Sequence, residues 1–437
     1  MNFPYTDGFF SIDNKNGFLP IKAPFKKLPD KYENIQNIIN ILPELIKNGS
    51  MLKFNIDKLK NNIELVKEET DIFIIQALYR AYTFITSAYL LQPSYENKIN
   101  NLYGKGRTIL PIQLTQSLEW VSNKLDVFPW LDYHYAYSLG NYIKKDENKD
   151  FEYNNLEMAC SFSGTTDETG FIMVHVDINS HSPNLIKGIE LFSLDKKESL
   201  KLILNTMEKI NERRKQMWNA SNPANYNNFR VFIMGIQGNT DIFGEGVEYE
   251  GSENKELRTY RGQSGSQDDI IPTVDIFSGI FKYYPNNILT KYLLDMRKYR
   301  PKPVQKFLED LENNYIKLEE LDDNELKLLY MIIEQIYGFR NGHWMFVQKY
   351  IMSNTKYTIA TGGTPITTWI PNQIEAVLEY MRIILTKIND IEFKLEKNKD
   401  WTIKYNILLL QIKELKNKNY DINLVYNYSD KSAENLK

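Results

Sequence analysis

One histidine set in an apolar stripe carries the clearest chemical signal in the sequence. It lies in Arg340-Asn-Gly-His343-Trp-Met-Phe-Val-Gln-Lys-Tyr-Ile351. Helical spacing puts His343 on one face with Ile332, Ile336 and Phe339 before it and with Phe346, Val347 and Tyr350 after it. A ring so placed is either a hydrogen-bonded core residue or a metal ligand, and a neutral imidazole on a bundled helix is a common axial ligand to haem iron. Gly342, without a side chain, is read as letting a flat cofactor approach the backbone. Shortly after comes Thr361-Gly-Gly-Thr364, a turn whose N–H groups and hydroxyls also suit a carboxylate or an ammonium group.

Three further places invite chemistry. His175 sits in Phe171-Ile-Met-Val-His-Val-Asp-Ile178, either as a core or cap histidine or as a hydrogen-bonding group facing a pocket. Arg230 enters the apolar run Arg230-Val-Phe-Ile-Met-Gly235, where a buried guanidinium needs an internal carboxylate or an incoming one. Residues 244–269, rich in Gly, Ser and Glu and without periodicity, read as a long binding loop or as disorder.

The elements that must hold these residues are helical. The 437-residue chain is 42% hydrophobic and 13% aromatic, enough for two domains and a sizeable core. Its net charge of −3 with interspersed signs gives no basic stripe, so nucleic acid is not expected as a partner. A single cysteine, Cys160, excludes an intrachain disulfide and a CxxCH attachment, so any haem is held non-covalently. The four histidines show no HExxH spacing, which favours a prosthetic group with one protein ligand over a protein-only metal cage. The start lacks a secretory pattern, and the apolar stretch Ile72 to Leu91 carries Gln76 and Arg80, which marks a buried helix. A cytoplasmic protein with no membrane partner is expected.

Residues 1–35, rich in Pro, Gly and Lys, read as an extended arm over a domain. Helical patterns follow at Tyr32 to Lys47, Asp57 to Glu68, Asp71 to Leu91, Leu110 to Lys124 and Leu131 to Tyr142. The charged run 143–150 reads as a solvated connector. Beyond it, Phe171 to Ile178 suits a strand by its β-branched content or a helix by its context, and its helical neighbours favour a helix. Further helices are predicted over Lys197 to Trp218, Val274 to Tyr283, Asn287 to Arg297, Val304 to Asn314, Asp323 to Ile351, Pro371 to about Leu395 and Trp401 to Lys418. The expected architecture is all-α: a small helical domain over 1–142 with its arm, a connector over 143–160, and a larger helical domain over 161–437.

Several blocks in order and spacing carry a family resemblance. They are Lys144-Lys-Asp-Glu-Asn-Lys149 before Ser161-Phe162; Gly170-Phe-Ile-Met-Val174; Asn222-Pro223 with Arg230; and Val247-Glu-Tyr-Glu-Gly251. Arg261-Gly-Gln-Ser-Gly-Ser-Gln267, Asp275, Met296-Arg-Lys-Tyr-Arg-Pro301, His343 with Lys349-Tyr-Ile351, and Thr361-Gly-Gly-Thr364 complete the set. From roughly Leu110 to Tyr380 the chain resembles the indoleamine 2,3-dioxygenases, haem enzymes that open the pyrrole ring of tryptophan. The first hundred residues match weakly, and the tail beyond about Leu395 does not match.

The resemblance implies a haem b enclosed by the larger domain, with O2 as co-substrate and an indole amino acid as the small-molecule partner. His343 matches the proximal iron ligand, and Arg340 with Asp275 matches an ion pair beside a haem propionate. Ser264 and Gly265 match the loop over the haem, Arg230 the clamp for the substrate carboxylate, and Thr364 the residue closing the pocket. The chain departs from the animal enzymes at three places. His175 stands where they have a small serine, similar to tryptophan 2,3-dioxygenases, and there would accept a hydrogen bond from the indole N–H. His134 replaces a pocket tyrosine, and Asn225 and Tyr226 replace two phenylalanines, so a more polar substrate is expected. The implied reaction is O2 insertion across the indole C2–C3 bond of L-tryptophan or a close indole, giving an N-formylkynurenine-type product. A haem monooxygenase or ring-rearranging enzyme acting on a modified tryptophan, and a non-catalytic haem sensor, are the alternatives.

Overall fold

Helices dominate the computed structural model, which describes residues 1–49, 52, 56–98, 102–284, 288–357, 359–363 and 369–417. In chain order the principal ones are α1 (Glu33–Asn40), α2 (Leu42–Lys47), α3 (Ile63–Lys67), α4 (Ile72–Glu96), α5 (Ile112–Leu125), α6 (Thr166–Asn179) and α7 (Ser182–Leu191). Then come α8 (Lys196–Arg214), α9 (Ile270–Ser278), α10 (Ile288–Met296), α11 (Lys302–Glu312), α12 (Asp323–Phe346), α13 (Trp369–Lys387) and α14 (Ile391–Asn417). Strands are two or three residues long and pair only in twos. The fold is all-α, as the apolar periodicity predicts.

Helix α12 is the element on which the site depends. Asp322 caps it and Glu325 completes a reciprocal capping box, at 2.8 and 2.9 Å. Leu329, Ile333 and Ile336 bury its inner stripe, and it packs lengthwise on α8 and α13. Past Phe346 the helix widens into a π-turn over Val347–Met352, which brings Tyr350 inward. There its hydroxyl donates to the carbonyls of Met217 and Ser221 at 2.9 and 2.6 Å. Helix α6 begins at the Thr165 cap, and buried Glu168 in its first turn accepts from the Phe162 and Ser163 N–H groups.

Four expectations are revised. Only Tyr133–Tyr137 winds, as a single π-turn, where Leu131 to Tyr142 predicts a helix. Side chains of α4 capture the carbonyls that a longer helix would use: Gln76 donates to Tyr135 O and Gly140 O, and Arg80 to Gly140 O at 2.7 Å. The connector 143–150 is not simply solvated, because Tyr142–Lys144 pairs antiparallel with Leu156–Met158. The predicted helix from Pro371 to Leu395 is broken between Lys387 and Ile391, so α14 begins ten residues before Trp401. The predicted list also omits α7.

The N-terminal arm does pack over helices. Tyr5 reaches Phe307 and Asp310 on α11, while Phe9 and Phe10 stack near Phe73 and Tyr135. One apolar cluster runs from Tyr5 to Ile412. Among the described residues no helix is long and apolar enough to cross a membrane.

Candidate active site

A cavity of about 380 Å³ lies between α6, α9, α12 and the loop after residue 260. His175, Tyr226, Ser264, Gly265, Asp275, Arg340 and His343 all line it. Thr364 lies outside the described residues.

His343 comes from the last turn of α12. Its ring is accessible from the cavity, is packed by protein on its other sides, and makes no hydrogen bond with the described residues. Burial, reinforced by the nearby Arg214 cation, lowers its pKa to about 4. At neutral pH the ring therefore offers a lone pair and no competing proton.

His175 enters from α6 and is also pushed down by burial, but here Asp268 opposes the shift. Its Nδ1 lies 3.0 Å from Phe171 O. A carbonyl only accepts, so Nδ1 carries the hydrogen and Nε2 is left as an acceptor. A Cβ placed on Gly265 would stand 3.7 Å from that Nε2, which locates the acceptor at the loop wall. Behind it is a network that sequence reasoning missed. Asp268 lines the cavity and accepts from Tyr133 Oη at 2.7 Å, Asn179 Nδ2 at 2.6 Å and the Ile270 N–H at 3.0 Å. Consecutive aspartates, Asp268-Asp269, in a stretch otherwise read as loop are the signal available for it.

Arg340 pairs with Asp275 as the resemblance implies, and Tyr284 donates to the same carboxylate. Burial raises the pKa of Asp275, and the Arg340 charge works against that rise. Ser264 caps a short turn, its hydroxyl accepting from Ser266. Tyr226 packs on Phe171 at 4.9 Å between ring centroids, and burial raises its hydroxyl to about 12, so it stays protonated.

Four residues named from the sequence lie elsewhere. His134 is buried away from the cavity lining, its Nε2 2.8 Å from Asp269 Oδ2, with Arg300 Nε 2.7 Å from the other oxygen of that carboxylate. Adjacent Tyr133 points to the Asp268 and His175 side instead. Asn225 donates to Asp167 at 2.7 Å and does not reach the cavity wall. Arg230 lies behind the wall, donating to Ile359 O at 2.8 Å and Tyr103 Oη at 3.3 Å. Among the described residues its Nε has no hydrogen-bond partner and no carboxylate pairs with it. Gly342 faces not the cavity but the Arg214 guanidinium.

The family model for indoleamine 2,3-dioxygenase matches residues 7–376, extending the likeness well before Leu110. The chain belongs to the indoleamine 2,3-dioxygenase family. Among its relatives, indoleamine 2,3-dioxygenase 1 of Rattus norvegicus is 28% identical over 363 residues, covering 79% of this chain and 85% of the relative. The indoleamine 2,3-dioxygenase of Saccharomyces cerevisiae is 26% identical over 386 residues, covering 79% and 81%. A 6-hydroxytryptophan 2,3-dioxygenase of Fusarium equiseti is 25% identical over 368 residues, covering 78% and 84%.

Members of this family are haem-dependent dioxygenases that use O2. The residues of this chain fit that group. Among the described residues no cluster of three or more His, Cys, Asp or Glu can hold a bare metal ion, so an iron held by His343 would take its other ligands from a prosthetic group. Phe346, Val347 and Ile351 give the wall beside His343 an apolar surface, and Arg340, Arg297 and Lys282 bring cations that suit the carboxylates of haem.

Proposed function

We propose that the protein is a haem-dependent dioxygenase acting on L-tryptophan or a close indole, with His343 as the iron ligand. The observation that carries this reading is the pairing of two histidines, from different helices, on one aromatic-walled cavity. When bound, haem supplies the iron chemistry that delivers O2 to the indole C2–C3 bond.

The chain's own residues do the rest. His175 Nε2 accepts the indole N–H and fixes the ring's orientation, with Phe171 O holding the tautomer that leaves Nε2 free. Asp268 supports that basicity from behind. Arg230, a buried cation behind the wall that lacks a counter-charge among the described residues, favours a substrate carboxylate at the Tyr226 end of the cavity by its charge. Phe171, Tyr226 and Tyr350 exclude water and pack on the indole faces. The hydroxyl of Tyr226 and the carboxylate of Asp268 also suit an indole bearing a polar substituent, in line with the 6-hydroxytryptophan activity named for the Fusarium equiseti relative.

The test is an optical spectrum of the haem-reconstituted, reduced protein before and after adding L-tryptophan in air, with product analysis. Haem binding and an N-formylkynurenine-type product are expected. Haem with a singly oxygenated or rearranged product moves the reading to a monooxygenase, and haem without turnover of any indole amino acid moves it to a sensor.

A further inference from the structure

Two neighbouring arginines end α8, and they are treated oppositely. Arg213 forms a bidentate pair with Asp177, at 2.9 and 2.6 Å. Arg214 is buried, and among the described residues no carboxylate pairs with it. Its polar contacts are neutral and long: Gly338 O at 3.3 Å and Asn211 Oδ1 at 3.4 Å. The guanidinium lies 5.3 Å from the ring centroid of Phe339 and 5.4 Å from that of Phe346, two residues that themselves line the cavity. Ring faces and the C-terminal end of α8 offset part of the desolvation of this charge.

The position is made by Gly342. A Cβ on that residue would stand 2.1 Å from Nη1, 2.3 Å from Nη2 and 2.4 Å from Cζ of Arg214, so glycine alone admits the guanidinium against α12. The next residue is His343, whose ring meets no carboxylate among the described residues that would make it more electron-rich. We propose that Arg214 is a fixed positive charge that raises the reduction potential of iron held by His343, and that Gly342 is the opening that lets it approach. The inference rests on the haem reading above.

The physics is charge counting in a poorly screened interior. The step is Fe(III) plus one electron giving Fe(II), so the oxidised haem carries one more positive charge, and a nearby cation disfavours it. Holding the iron ferrous keeps it in the state that meets O2. Arg214 touches neither substrate nor the cavity, so it is a positioning residue acting through the electrostatics of the His343 wall.

Spectroelectrochemical titration of the haem-reconstituted full chain, with mediators supplying the electron, tests this. Arg214→Met is expected to raise the Fe(III)/Fe(II) ratio at a fixed potential at least about tenfold, which for a one-electron couple is a fall of about 59 mV. Arg214→Lys keeps the charge and should stay close to wild type. Gly342→Ala displaces the guanidinium and should shift the potential in the same direction as Arg214→Met, while the double variant adds little to either. A wild-type potential in Arg214→Met with an unaltered haem spectrum overturns the proposal, as does Arg214→Lys falling as far as Arg214→Met. Should Arg214→Met fail to fold, an unchanged potential in Gly342→Ala is the overturning result. A wild-type chain that takes up no haem overturns the functional reading and this inference together, whereas haem uptake with equal potentials overturns this inference alone.

Discussion

His343 and His175 face one cavity from two helices, and burial withdraws the proton from both, yet opposite charges stand behind them. Behind His343 is the Arg214 cation, which adds to the effect of burial, and the ring has no hydrogen-bond partner among the described residues. Beside His175 is the Asp268 carboxylate, which opposes burial, and its Nδ1 is tied to Phe171 O. One residue type thus yields two chemistries. The first ring is a lone pair that stays neutral down to about pH 4 and suits a metal, and the second is an oriented acceptor whose proton affinity is partly restored by a carboxylate.

The largest expected effect separates the two walls outright. His343→Ala should abolish haem retention, read as loss of the Soret band after gel filtration, whereas His175→Ser should keep the band and lower turnover. Equal haem loss in both would break the distinction. The same comparison has a pH signature. Above about pH 6.5 the His343 ring is neutral folded and unfolded, so it contributes no pH dependence. Between there and about 4 the unfolded chain takes up a proton that the folded ring refuses, so its contribution to stability falls as pH drops, and below about 4 the slope ends. Urea titrations of the haem-free wild type and His343→Gln across that window should differ in slope.

Next in size is the carboxylate clamp. Arg230→Leu is expected to raise KM about 5- to 30-fold, the scale of roughly 1–2 kcal/mol for a buried charge acting through the cavity wall, with the haem spectrum unmoved. An unchanged KM would place the substrate carboxylate elsewhere. Smaller again is Asp268→Asn. Removing that charge lowers the proton affinity of His175 further, so the acid limb of kcat/KM should move to lower pH, with kcat down about tenfold or less. A limb that stays in place would detach Asp268 from His175.

The contrast between the walls was only half legible in the sequence. Apolar periodicity sets α12 and α8 close to their observed bounds, because each buries a continuous stripe, whereas α6, read as a helix from its neighbours, begins five residues before Phe171. It also predicts the inward direction of His343. What periodicity cannot carry is contact between side chains far apart in sequence. Gly342 reads as an opening for a cofactor until Arg214, on another helix, is seen filling it. The π-turn at Tyr133–Tyr137 is equally illegible, since it depends on Gln76 and Arg80 taking carbonyls from a distant segment. Inside that turn, side-chain direction decides between His134 and Tyr133, and one position along the chain exchanges the cavity side for the core.

That exchange supplies the smallest and most discriminating prediction. If His134 belongs to the packing behind the cavity, His134→Phe should leave KM for an indole amino acid unchanged while lowering stability by about 2–4 kcal/mol, because Asp269 loses a buried partner and keeps only its Arg300 side. Tyr133→Phe should do the reverse, perturbing turnover through Asp268 with a loss of about 1 kcal/mol in stability. The two substitutions are adjacent in sequence, and KM separates them, because overpacking or a lost bond at His134 moves stability and not substrate binding. A raised KM in His134→Phe, with stability intact, would turn that ring toward the substrate and reassign the wall of the cavity.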